Sequence, residues 1–115
     1  MPSMTDAMRA YGAAAQERSV REQEADVFHR VNGALKAAQK ADSITKAKSL
    51  ADNRRLWLTV GDLMRDPDSH LPEPLRASII SVGLAVQREM ALEAPDFAFL
   101  ISVNENIAAG LVAAD

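Results

Sequence analysis

The chain contains no cysteine among its 115 residues, which excludes disulfides, thiolate metal sites and thiol nucleophiles. Such a composition is compatible with a reducing cytoplasm. Long apolar runs are also missing: none approaches the roughly 20 residues that span a bilayer. Met1 to Ala15 carries Asp6 and Arg9 and lacks the basic-then-apolar layout of a secretory leader. A cytoplasmic protein without membrane insertion is therefore expected. Positive charge is not in excess, since the net charge is -3 and the pI is near 5.3. That balance disfavours a nucleic-acid footprint as the main surface feature. There is no Gly-rich phosphate loop, no Gly-x-Ser-x-Gly elbow and no His-x-x-x-His pair. The two histidines, His29 and His70, fall opposite an apolar stripe and in a proline-rich connection, where solvation is the simplest reading. The carboxylates look like helix dressing, with Glu22 and Glu24 near an expected helix start and Asp66 and Asp68 in a turn. Neither an enzyme nor a bound cofactor or metal is expected.

What the sequence does contain is helical periodicity, enough for one domain over residues 1–115. Met4, Ala7, Met8, Tyr11 and Ala15 share one face of a short alanine-rich segment. Isolated helices of this length are marginal, so the segment at about 1–15 is expected to be ordered only when docked. Ser19 and Glu22 have the spacing of a capping box for a second helix. Its stripe is Val20, Val27, Val31, Ala34, Leu35 and Ala38, with Phe28 at the edge. Asp42 or Ser43 can cap a third helix over about 44–65, with Ala47, Leu50, Ala51, Trp57, Leu58 and Gly61 as its main stripe and Met64 at the margin. Pro72 or Pro74 suits the first turn of a fourth helix, whose principal stripe is Leu75, Ile79, Val82, Val86 and Met90. Asp96 can cap a last helix that docks through Leu100, Val103, Ile107 and Leu111. The expectation is an all-α, compact bundle of four to five helices. All five glycines lie inside these helical patterns, where close helix approach or a loosened, adaptable surface would justify them.

Two helices carry more apolar surface than one face requires. Leu56, Val60 and Leu63 form a second stripe on the third helix, and Ile80 and Leu84 do so on the fourth. The expectation is an apolar groove, lined by the first trio or by the second pair, that accepts an amphipathic helix. Arg54 and Arg55 are its expected polar anchors, and Trp57 is assigned to the core. Arg54 falls within the main apolar stripe, so internal pairing with a carboxylate is its favoured alternative. Lys36, Lys40, Lys46, Lys48, Arg54 and Arg55 cluster in sequence, but Asp42 and Asp52 interrupt them, which favours a mixed-charge solvated face. Two other function classes stay open: an RNA-binding regulator using that basic segment, and a structural adaptor that dimerises through the apolar ridges.

Asn53-Arg54-Arg55-Leu56-Trp57, followed by Asp66-Pro67-Asp68 and Leu71-Pro72, resembles the flagellar protein FlaF family of alphaproteobacteria. The similarity takes in Tyr11, Glu22, Glu24 and Val31 upstream. Downstream it includes Val103-Asn104-Glu105-Asn106-Ile107 and ends at Gly110-Leu111. Phe97 and Phe99 give the turn after Pro95 more aromatic character than the family pattern. The resemblance implies a cytoplasmic regulator of flagellin synthesis and export. It would act as a flagellin-binding secretion chaperone alongside a second regulator, FlbT, and the RNA-binding alternative becomes post-transcriptional control of flagellin expression. It also implies that the ligand is a disordered, amphipathic terminal segment of flagellin.

Overall fold

A computed structural model describes residues 3–113, with side chains described for all of these except 13–21. Four helices make up the described chain: α1 (Met4–Ala38), α2 (Ser43–Arg65), α3 (Glu73–Met90) and α4 (Phe97–Ala113). The all-α expectation holds. α1 packs against both α4 and α2, α2 also packs against α3, and α3 touches α4 only lightly. Short connections between sequential helices, with no strand among the described residues, make this a helical bundle.

The first two expected helices are one. α1 runs for 35 residues, about 52 Å at 1.5 Å per residue, and accounts for most of the 61 Å long axis. Its backbone is helical through Ser19 to Glu22, so no capping box operates there. Extending an existing helix avoids a second costly nucleation, and Ala13-Ala14-Ala15-Gln16-Glu17-Arg18 contains no breaker. The real box is at Ser3 and Asp6: the Asp6 amide donates to Ser3 Oγ at 3.1 Å and the Ser3 amide to Asp6 Oδ2 at 3.4 Å. The first segment is helical without docking, contrary to the expectation that its order requires it. Met4, Ala7, Met8 and Tyr11 are all exposed, while Ala15 lies outside the described side chains.

The other punctuation falls as expected. Asp42 caps α2 by accepting from the Thr45 amide at 2.8 Å, and hydrogen bonding from the Thr45 side chain and then its amide holds its carboxyl below the usual aspartate range. Pro72 stands at the N-cap of α3 with Pro74 in the first turn. Asp96 accepts from the Phe99 amide at 3.1 Å to start α4, and its own amide donates to Glu89 Oε2 at the same distance. The α2–α3 connection is tied down by Arg76, which donates to the carbonyls of Leu71, Met64 and Asp66.

The core joins Ala25, Phe28 and Leu35 of α1 to Leu56, Trp57, Val60 and Met64 of α2. Ile79, Val86 and Met90 come from α3, and Leu100, Ile101, Ala108 and Leu111 from α4. Trp57 is a core anchor as expected, meeting Phe28 edge to face at a centroid distance of 5.9 Å. The α3 stripe also agrees, with Leu75 and Val82 half-buried at its margins. On α1, α2 and α4 the buried face is rotated from the apolar stripe. On α1, Leu35 and Ala38 are buried as expected and Phe28 is central, whereas Val27 and Ala34 are exposed, Val31 is half-buried and Val20 lies outside the described side chains. On α2, Met64 is buried and Leu50, Ala51 and Gly61 are half-buried, but Ala47 and Leu58 are exposed, and Leu56 and Val60 join the core. On α4, Leu100 and Leu111 are buried as expected, while Val103 and Ile107 are half-buried beside a buried Asn104. In each case the rotation brings an asparagine inward.

Candidate functional site

Those asparagines form one network. Trp57 Nε1 donates to Asn104 Oδ1 at 2.9 Å. Asn104 Nδ2 then donates to Asn53 Oδ1 at 2.8 Å and to Asn32 Oδ1 at 3.3 Å. Asn32 Nδ2 closes on the Ile101 carbonyl at 3.2 Å, and Asn53 Nδ2 reaches Met90 Sδ at 3.3 Å. All four helices are thereby linked, and among the described residues no buried side-chain nitrogen or oxygen lacks a partner. A satisfied polar network rewards one arrangement of the helices and penalises slippage, because any shift orphans a buried group.

Turning Asn32 inward swings Val27, Val31 and Ala34 toward the α1–α2 seam. There they line a groove of about 430 Å³ together with Leu56. Its polar lining is Arg30 from α1 and Asp52, Arg55 and Thr59 from α2. Arg55 is exposed, and its Nη2 makes a loose 3.8 Å contact with Asp52 Oδ1. Lys36 is engaged elsewhere, bonding Glu105 across to α4 at 2.8 Å. A second, smaller groove of about 140 Å³ lies between α2 and α3. Trp57, Leu58, Gly61, Ile80, Gly83 and Leu84 contribute to its lining, with Asp62, Arg65 and Gln87 among its polar residues.

The expected site residues therefore divide. Leu56 and Arg55 line the α1–α2 groove, and Ile80 and Leu84 the α2–α3 groove. Leu63 is half exposed on α2 and lines neither groove, contrary to expectation. Val60 is buried in the core, so an incoming helix does not reach it. Arg54 is exposed and lines neither groove; the internal pairing expected for it is not among the described ion pairs. Glycine has one clear packing role: a Cβ at Gly83 would stand 3.1 Å from Trp57 Cε3, the close approach anticipated from the pattern. Gly12, Gly33 and Gly110 would meet nothing within 4 Å.

Sequence reasoning missed Val27, Val31 and Arg30 as groove residues, placing both valines in the core. The available signal was the set of three asparagines, each on a different helix near its apolar stripe. Rotating each helix to bury its asparagine exposes the valines.

The same residues lie in the runs on which the family resemblance rests. Asn53 and Trp57 belong to the Asn-Arg-Arg-Leu-Trp run, and Asn104 to the Val-Asn-Glu-Asn-Ile run. The sequence model of the flagellar protein FlaF family matches residues 7–111, nearly the whole chain. The chain belongs to the FlaF family. Membership gives it a role in flagellar assembly or its regulation. No curated protein and no solved structure matches the chain. Within this FlaF-family bundle, the motif tryptophan and two motif asparagines are structural, fixing the helices whose outer faces form the grooves.

For other chemistry the described residues offer little. No group of three or more His, Cys, Asp or Glu side chains among them is placed to hold a metal ion. His29 and His70 are exposed, as their sequence positions suggested. No helix among the described residues is long and apolar enough to cross a membrane. What the α1–α2 groove can do is remove the apolar row of another helix from water, with charged groups at hand to orient it.

Proposed function

We infer that this FlaF-family protein is a non-catalytic, cytoplasmic chaperone and regulator that binds flagellin before export. Capture is by the α1–α2 groove, which takes an amphipathic helical segment of flagellin along its apolar row. The observation that carries this reading is the groove itself: Val27, Ala34 and part of Val31 leave aliphatic surface uncovered between two helices, over a buried Leu56. A bundle with no partner gains by burying such a row, at about 25 cal/mol per Å². From Asp52 to Thr59 the α2 wall rises about 10 Å, enough to contact two turns of a ligand helix. A disordered flagellin segment would fold on docking, which keeps binding reversible because the ordering cost opposes the contacts. FlbT is a candidate second partner, through surfaces that leave the groove to flagellin.

Co-purification of flagellin with the full chain tests this, followed by mapping of the flagellin peptide protected from proteolysis. Val27→Glu places a charge in the groove at a position already 37% exposed, so helical content should survive while capture is lost. Undiminished capture by Val27→Glu would move the seat elsewhere. Failure of the unaltered chain to hold flagellin would end the reading.

A further inference from the structure

The α1–α2 groove is apolar along its floor, yet it has charged groups on both walls, and their signs do not cancel. Arg30 stands on α1; Arg55 and Asp52 stand on α2. Asp52 meets Arg55 only at 3.8 Å, with the two side chains 53% and 79% exposed. At that separation and exposure the pair holds neither group firmly. No carboxylate lies within ion-pair distance of Arg30 among the described residues. Two guanidiniums thus flank one apolar row, one from each side, in a chain whose overall charge is negative.

We propose that Arg30 and Arg55 form a two-sided charge clamp, so that the groove selects an amphipathic helix with carboxylates on both flanks of its apolar row. This rests on the reading that the groove seats a helix, and it adds what kind of helix. Carboxylates at spacings of three or four from the ligand's apolar positions project sideways over the walls. There each accepts from a guanidinium, whose planar fork suits bidentate contact. A ligand with lysines at those positions meets two like charges as its apolar row is desolvated, which penalises it. Asp52 tempers the α2 side. It sets the clamp at net +1, enough for preference and too little to hold a polyanion by charge alone.

The test uses the full chain and two synthetic helical peptides of about 18 residues, roughly 27 Å long. They share one apolar row and differ only in having glutamate or lysine on both flanks. Titration calorimetry gives affinity, and amide shifts at Val27, Val31 and Leu56 report whether the groove is occupied. The Glu-flanked peptide should bind there about tenfold or more tighter than the Lys-flanked one, an advantage that shrinks as salt rises. The double variant Arg30→Glu/Arg55→Glu should invert the preference, with helical content unchanged because both residues are exposed. Equal groove binding of both peptides, or a preference that the double variant leaves intact, overturns the clamp while leaving helix capture standing. If neither peptide shifts the groove amides, the clamp falls too. Flagellin co-purification then decides separately whether capture survives.

Discussion

Asn104→Leu removes the hub of the buried network while keeping the number of side-chain heavy atoms, so no cavity opens, and the bulkier methyl groups add an overpacking cost to the lost hydrogen bonds. Three polar atoms lose their partners at once: the Trp57 indole N–H, Asn32 Oδ1 and Asn53 Oδ1. Asn32 and Asn53 keep their other bonds, to the Ile101 carbonyl and to Met90 Sδ. An orphaned buried group costs about 1–3 kcal/mol, and relaxation recovers part of the sum, so a net loss of about 3–5 kcal/mol is expected. A domain of this length has roughly 5–15 kcal/mol in total. The variant should therefore remain folded only marginally, with a thermal midpoint lower by something on the order of 15 °C. Urea and thermal unfolding followed by far-ultraviolet circular dichroism measure this directly. Asn106→Leu, at an exposed position two residues away, is the control and should shift stability little. Should Asn104→Leu cost less than about 1 kcal/mol, the hydrogen bonds are not holding the bundle, and the explanation of the rotated helix faces fails with them.

Val60→Glu puts a carboxylate into the core at a residue 7% exposed, and should cost helical content and stability together, unlike Val27→Glu. Retention of full helicity by Val60→Glu would return that residue to the groove. Gly83→Ala should destabilise by about 1 kcal/mol despite its better helix propensity, because Trp57 is pinned by Asn104 and Phe28 and cannot yield. Gly33→Ala, which meets nothing, should stabilise by up to about 1 kcal/mol, and opposite signs in urea denaturation are the check. Asp42 has its carboxyl depressed by bonding to Thr45, so its contribution to stability is present above the ordinary aspartate value and disappears as pH falls through the lowered one. The midpoint of the parent chain should accordingly drop in acid more than that of Asp42→Ala, compared by melts across the acidic range.

Helix type and punctuation were decided locally, and residues alone were enough to read them. Asp42, Pro72 with Pro74, and Asp96 begin helices where they stand, because a cap needs only the next turn of its own chain. The α3 stripe was legible for the same reason: it has no buried asparagine, so its apolar face and its buried face coincide. The fusion of the first two segments into α1 was less so, since Ser19 and Glu22 offer a start signal that an uninterrupted helix ignores. Which way α1, α2 and α4 face was a tertiary decision. Hydrophobic periodicity counts asparagine as a surface residue, and only a second and third helix, supplying acceptors and donors at hydrogen-bond distance, make it cheaper to bury. That one choice, made jointly by Asn32, Asn53 and Asn104, sends Val60 into the core and leaves Val27 and Val31 beside Leu56 in the open groove.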